Sequence, residues 1–323
     1  MWDVGLSRAG PGLLLKDILD QDAPDVLAAR DHILSNAPDV LLLTGFDTDF
    51  DGITVRAFAD TLDAGYSYTF STVGNAGVPS TFDLDRDGRL GEPEDAWAFG
   101  DFHGDGGMAV LSKRPIQYDA IHTLTATRWL DLPRSRLPLS YFTPDEAAVH
   151  PLSSHGHWIV PIDWSGAQID LLAFKAATPV FDGSEDRNGL RNADEIALWR
   201  HYLDGALPIK PAAPFVIAGN ANLDPMDGEG LHGEIVALLN HPAVQDPKPA
   251  SSHGGRIANP EHSSNPRLDT VDWRDPEPGN LRVDYVLPSV GLSVVDAGIS
   301  WASNSENAAF SHGLVWVDIA PLP

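Results

Sequence analysis

Phe215-Val216-Ile217-Ala218-Gly219-Asn220-Ala221-Asn222-Leu223-Asp224-Pro225 is the stretch on which the reading of this chain turns. Its first four residues are an apolar run with the character of a buried strand. The glycine, amides and proline that follow end it in a polar turn. Two more short stretches come in order toward the C-terminus, Arg282-Val283-Asp284-Tyr285-Val286-Leu287 and Ser311-His312-Gly313-Leu314-Val315-Trp316. Each joins polar or charged residues to a strand-like run. Upstream, Val40-Leu41-Leu42-Leu43 and Met108-Ala109-Val110-Leu111-Ser112 have the same buried-strand character.

Residues 24–36 predict a helix with Val26, Leu27, Ile33 and Leu34 apolar and Pro38 as its stop. Trp158 to Ile162 and Ile169 to Phe174 predict a β-hairpin around Asp163-Trp164-Ser165-Gly166. Asn192 is expected to cap a helix, with Asp194 and Glu195 near the positive end of its dipole. Ile196, Trp199 and Leu203 fall on one face of it and Gly205 ends it. Leu231, Ile235, Leu238 and Leu239 are spaced for a further helix. Residues 72–107 and 241–280 read as irregular, and strands are expected around 282–287 and 313–319. Strands close enough to pair antiparallel, mixed with helices, fit packed sheets covered on their outer faces better than a wholly parallel sheet. No linker composition divides residues 1–323, so one domain is expected.

With 43% hydrophobic and 21% charged residues among 323, the chain can bury a large core. No apolar run approaches the ~20 residues that span a bilayer. Lys and Arg total 21 against 46 Asp and Glu, a formal charge of −25. Nucleic-acid affinity rests on cations that neutralise phosphates, and no Lys/Arg cluster is visible, so nucleic acid is a poor candidate partner. The lack of cysteine excludes disulfides, thiolate metal sites and cysteine nucleophiles. Met1-Trp2-Asp3-Val4 has neither the basic nor the apolar region of a signal peptide. Only Met1 and Trp2 precede Asp3, so a longer natural chain, periplasmic or secreted, stays open. The oligomeric state is not legible.

Taken in order, the turn at 219–225, the strand at 282–287 and the stretch at 311–316 resemble three motifs of the endonuclease/exonuclease/phosphatase superfamily: Gly-Asp-x-Asn, Arg-x-Asp-Tyr and Ser-Asp-His. Pro179-Val180-Phe181-Asp182-Gly183, Glu185-Asp186-Arg187-Asn188-Gly189 and Pro278-Gly279-Asn280-Leu281 look like one bacterial branch of it. The resemblance covers most of the chain. It implies a four-layer α/β/β/α sandwich of two packed mixed sheets with outer helices, and an active site on the loops at one edge. It also implies phosphoester hydrolysis with a divalent cation, Mg²⁺ or Mn²⁺. Small phosphorylated ligands suit the acidic surface best.

The resemblance assigns seats, and several hold the wrong chemistry. Asp3 stands where the family has an Asn at the end of the first strand, and Gly45 where it has an ion-binding Glu. Asn220 replaces the Asp that positions water and cannot accept a proton near neutrality. Lys175 takes the place of a His, and Ser311 that of an Asp, whereas His312, its expected partner Asp284, and Asn222 are kept. Asp3, with Asp47 as a substitute ligand, is what remains to hold an ion. Two expectations follow: a phosphoesterase of weakened or lost activity using His312, Asp284, Asn222, Asn220 and Lys175, or a non-catalytic anion-binding or interaction module on the same fold.

A separate pattern needs no resemblance. Asp83, Asp85, Asp87, Gly88, Arg89 and Glu94 occupy the one, three, five, six, seven and twelve positions of a calcium loop of the EF-hand type, with Arg89 offering its carbonyl. Helices do not clearly flank it, so Ca²⁺ is expected to be structural, pinning the 72–107 excursion. Asp47, Asp49 and Asp51 repeat half the pattern and read better as a turn. His155 and His157 could form a metal pair with His103 or His253, but chance pairs are common. Trp158, Trp199 and Trp316 read as core residues.

Overall fold

The computed structural model describes residues 1–164, 166–212, 214–302 and 310–320. Its first sheet contains β1 (Trp2–Leu6), β2 (Val40–Phe46), β3 (Tyr68–Phe70) and β4 (Met108–Ser112), in the order β1-β2-β4-β3. Only β1 and β2 run parallel. The second sheet is built from β5 (His122–Thr123), β6 (Gly156–Trp164), β7 (Ala167–Lys175), β8 (Phe215–Asn220) and, beyond the short pair β9 (Val271–Asp272) and β10 (Asn280–Leu281), β11 (Asp284–Pro288). Its order is β11-β8-β7-β6-β5, with β7 and β8 parallel. A two-stranded ribbon of β12 (Val294–Ser300) and β13 (Leu314–Ile319) lies beside β1, where Met1 and Val315 exchange backbone bonds of 2.7 and 2.9 Å.

Strand alternation sorts the core into layers, since neighbouring side chains point to opposite faces. Leu41 and Leu43 of β2 pack with α1 (Leu13–Asp20), α2 (Pro24–Asn36) and α3 (Ile53–Leu62) through Leu14, Ile33 and Phe58. Leu42 and Val110 face the other way and meet Trp158, Val160 and Leu171 of the second sheet. Beyond that sheet, Leu172, Phe174 and Ile217 pack on α5 (Arg187–Leu203) and α6 (Gly233–Leu239), with Trp129 and the short α4 (Pro144–Val149) in the same layer. The arrangement is the expected sandwich: helices, sheet, sheet, helices.

The helix expected to start at Asn192 starts five residues earlier, at Arg187, and Leu231 lies ahead of α6 rather than in it. The polar residues that read as a helix start are buried inside α5 and tie it to other segments. Asn192 donates to the carbonyls of Ala177 and Ala221, both at 2.7 Å. Glu195 accepts from the backbone of Ser154 and Ala177. Asp194 accepts the Trp129 indole at 2.7 Å and the Arg136 backbone and guanidinium at 2.6 Å each. The hairpin has its expected place with longer strands; its Ser165 lies outside the described residues. Trp158 and Trp199 are fully buried and Trp316 partly so.

Because Asp194 is fully buried and satisfies three donors, Asp194→Ala should cost about 2–3 kcal/mol of stability, from the donors left unpaired. Urea denaturation measures it. A loss under about 0.5 kcal/mol, the level of an ordinary surface change, would show that these bonds do not hold α5 in place.

Candidate active site

The strand registers set the site in a row. Lys175, the last residue of β7, lies beside Asn220, the last of β8, and Asn220 lies opposite Asp284, the first of β11. In the facing sheet Asp3 is paired with Thr44. Asp3 is the second residue of β1, near its start rather than its end, and the regular register with β2 breaks just after it. Side chains from both sheets line one cavity of about 760 Å³, with Asp3, Gly45, Lys175, Asn222 and His312 on its wall.

At its floor Lys175 Nζ lies 3.3 Å from Asp3 Oδ2 and donates to the Gly106 carbonyl at 3.2 Å. The Thr44 hydroxyl donates to the same Asp3 oxygen at 2.9 Å. Burial alone would push the Asp3 carboxyl up, but Lys175, His312 and the Thr44 donor outweigh it and hold it below the usual carboxylate range. Gly45, beside Thr44, has φ +62°, and a Cβ there would overlap the Asp3 carboxylate.

A second chain of bonds runs along the edge. Asp284 accepts the Asn220 amide on Oδ1 at 2.8 Å and pairs through Oδ2 with His312 Nδ1 at 2.7 Å. The Trp2 indole donates to the His312 carbonyl at 2.9 Å, and the Trp273 ring packs edge-on against the imidazole. Burial would lower the His312 pKa; the carboxylates of Asp284 and Asp3 outweigh it and raise it above 6.5. The Oδ1 of Asn220 is buried without a partner.

The other candidate residues fall in different places. Asn222, at φ 50°, donates its amide to the Ala176 carbonyl at 2.8 Å while lining the cavity. Asp47 is buried, its oxygens taken by the Ser7 hydroxyl and the backbone of Arg8 and Gly106. Asp49 caps the start of α3 by accepting from Ile53 and Thr54, so this second acidic stretch is a turn into a helix. His157 is spent in the core on Ser153 and the Glu195 carbonyl, whereas His155 lines the cavity and is kept well below its ordinary pKa by burial and Lys175. His103 is bonded to Gly74 and His253 packs on Trp301. The four histidines form no metal cluster among the described residues.

Asp83, Asp85 and Asp87 each offer a carboxylate oxygen, all within 4.8 Å of one another, and could hold a metal ion. Gly88 takes φ 88° and donates to Asp83 Oδ2 at 3.0 Å. Glu94 is outside this group and lines the cavity, while its neighbour Asp95 anchors the loop by accepting from Leu84 and Gly91 at 2.8 Å.

Sequence reasoning missed Thr44, whose one signal is a hydroxyl at the end of an apolar strand. It also missed Arg191. That buried guanidinium donates to the carbonyls of Trp97, Pro151, Leu152 and Ser153 and so clips the 72–107 excursion to the cavity wall.

Residues 15–306 match the Endonuclease/Exonuclease/phosphatase family. The chain belongs to that family. Solved structures of the same fold include an endonuclease/exonuclease/phosphatase from Beutenbergia cavernae DSM 12333, at 16% identity and TM-score 0.55, covering 98% of this chain and 68% of that one. An endonuclease/exonuclease/phosphatase family protein from Leptotrichia buccalis C-1013-b is similar at 14% identity and TM-score 0.51, covering 98% and 97%. Truncated Caenorhabditis elegans TDP2 is similar at 13% and 0.51, covering 98% and 95%. At these identities the likeness is one of fold. No curated protein matches the sequence.

The Asn220–Asp284 bond can be tested by substitution. Asn220→Asp sets a second carboxylate against Asp284 where an amide now donates, and two such groups resist joint ionisation. Stability should fall by about 2 kcal/mol at pH 7 and recover as the solution is acidified and one of the pair protonates. Urea titrations at pH 5 and pH 7 measure the difference. A variant as stable as the parent at both would show that the amide bond does not hold Asp284.

Proposed function

We propose that the cavity binds small phosphorylated ligands and hydrolyses them weakly or not at all. One observation carries this reading: an ammonium group, Lys175, sits on Asp3, where the family's divalent ion would need a ligand. Asp3 Oδ2 is shared by Lys175 and Thr44, and Gly45 offers no oxygen and has no room for a side chain. Asn220 is an amide, Ser311 is no carboxylate, and Asp47 is committed to Ser7, Arg8 and Gly106. Mg²⁺ usually binds through one or two carboxylates. Here it would have to displace a fixed cation to reach one, so these residues do not fit the ion.

What remains suits an anion. Lys175 and the imidazole of His312, whose pKa is raised by the carboxylates beside it, share one wall, with Asn222 beside them. The seat of the family's water-positioning Asp is held here by Asn220, and a missing catalytic group costs about 10²–10⁴ in rate. The Asp284–His312 pair supports a second reading, slow hydrolysis in which His312 protonates the leaving oxygen.

The sign of the pH effect follows from His312. Its pKa in the folded protein is raised, so the stabilisation from its charged pairing with Asp284 is complete below pH 6.5 and is lost as pH rises through the folded value. Binding of inorganic phosphate, measured by calorimetry, should weaken over the same rise, and His312→Gln should bind more weakly with a flatter profile. Turnover of p-nitrophenyl phosphate with Mg²⁺ or Mn²⁺ is expected to stay at background. Brisk turnover that disappears in His312→Ala would replace this reading with the enzymatic one.

For the acidic loop we infer Ca²⁺, held by Asp83, Asp85 and Asp87 with the Arg89 carbonyl, since a cluster of hard oxygen donors suits that ion. Glu94 could join only by leaving the cavity wall. Calcium at a hundredfold excess over its Kd should stabilise the fold by about 2.7 kcal/mol, seen as a raised melting temperature, and Asp85→Ala should abolish the rise. No response to calcium would retire the assignment.

A further inference from the structure

The cavity is larger than a phosphate group requires. At about 760 Å³ it has the size of a small-molecule site. Lys175 and His312 make one part of its lining, and Leu84, Trp97, Phe142 and Val180 make another part apolar. Phe99 and Phe181 also line it, yet they are 67% and 88% exposed, so both rings stand at its mouth. They come from different segments, Phe99 from the 72–107 excursion and Phe181 from the turn ahead of α5. Neither makes a ring contact among the described residues.

A single exposed apolar side chain is ordinary, and either ring alone would carry nothing. Here two share the mouth of one cavity, and the backbone beneath each is fixed. Ala98 accepts from Gly77 at 3.0 Å and donates to the Asn75 carbonyl at 3.2 Å. Gly100 lies so close to Gly77 that a Cβ there would overlap it. Asn188 brackets Phe181, donating its side-chain amide to the Val180 carbonyl at 2.8 Å and its backbone N–H to Asp182. Phe181 itself takes φ 70°, a left-handed conformation that is costly for a bulky side chain. Its neighbours hold that conformation and keep the ring in water, where it adds nothing to the core. Such strain persists where a side chain has to be aimed at a particular place.

We propose that Phe99 and Phe181 form a subsite for an aromatic ring, so that the ligand of this cavity is a phosphate monoester carrying such a ring. This rests on the phosphate binding proposed for the same cavity and names its ligand class. The phosphate lies at Lys175 and His312, and the ring packs on the two phenylalanines. Aromatic rings gain offset and edge-on contacts with one another that a saturated ring does not, so two such walls favour a flat partner. The subsite is preformed on one side, because Arg191 holds the carbonyl of Trp97, two residues ahead of Phe99.

The test uses the full chain and calorimetry at pH 6 with ethyl phosphate, 2-phenylethyl phosphate and 2-cyclohexylethyl phosphate. The phenyl compound should bind at least about tenfold tighter than ethyl phosphate and about threefold tighter than the cyclohexyl one. Phe99→Ala and Phe181→Asn should each remove most of that gain and leave ethyl phosphate binding unchanged. Asparagine tolerates the left-handed backbone, so Phe181→Asn should melt no lower than the parent. A lower melting temperature would show that the ring serves the fold, and would overturn the proposal. Binding of ethyl phosphate with no gain from the ring, or with equal gain from cyclohexyl, would overturn the subsite and leave the phosphate reading standing. Failure of all three probes to bind would remove both. Binding of the chain to neutral phosphatidylcholine vesicles, lost in both variants, would assign the rings to a lipid surface instead.

Discussion

The buried contact between Asp3 and Lys175 joins the two halves of the sandwich at the site, and the arrangement around it depends on that contact. Asp3 belongs to the first sheet and Lys175 to the second, and both side chains are under 15% exposed, at 13% and 14%. At 3.3 Å their attraction is about 5 kcal/mol at an effective dielectric near 20, while desolvating each ion costs several kcal/mol. The pair therefore adds little net stability. Its consequence is positional: removing either partner strands the other in a buried setting, so the two are held together and the cavity floor is held with them. The backbone at Gly45 follows the same constraint, because only a residue without a side chain passes Asp3 at that distance.

The second constraint is the carboxylate of Asp284, which is divided between two donors. One oxygen serves Asn220 and the other His312. The amide at 220 donates to Asp284, whose carboxylate in turn raises the pKa of the His312 imidazole. Gly45 leaves room for the Asp3 carboxylate that Lys175 approaches, and the Asn220 amide donates to the carboxylate that pairs with His312, so the two clusters are each internally satisfied.

How much of this was legible in the sequence depended on the range of the interaction. Strands such as Val40–Phe46, Met108–Ser112 and Phe215–Asn220 are continuous apolar runs because both of their faces are buried, and continuous runs are plain in the sequence. The family resemblance carried by the 219–225, 282–287 and 311–316 stretches made Asp284 the expected partner of His312, whereas the bond from Asn220 to the same carboxylate is visible only in the fold. The start of α5 was misplaced because Asn192, Asp194 and Glu195 are the residue types that begin helices, and here they are polar groups tied to distant segments. Nothing local distinguishes a cap from a buried staple. Likewise Asp47 has the composition of an ion ligand, but its oxygens were claimed by Ser7, Arg8 and Gly106, contacts as far as 59 residues apart. The acidic loop at 83–87 was legible because its donors are close in sequence, whereas the fate of Glu94 depended on the cavity wall.

The two ends of the sandwich are linked through β1, a strand of five residues. Asp3 holds Lys175 at the site, and two residues away Met1 makes the backbone bonds to Val315 of β13. Trp2, between them, is fully buried, packs on Phe310 and His32, and donates to the carbonyl of His312. A strand this short has few ladder bonds of its own, so its register against β2 rests largely on those side-chain anchors.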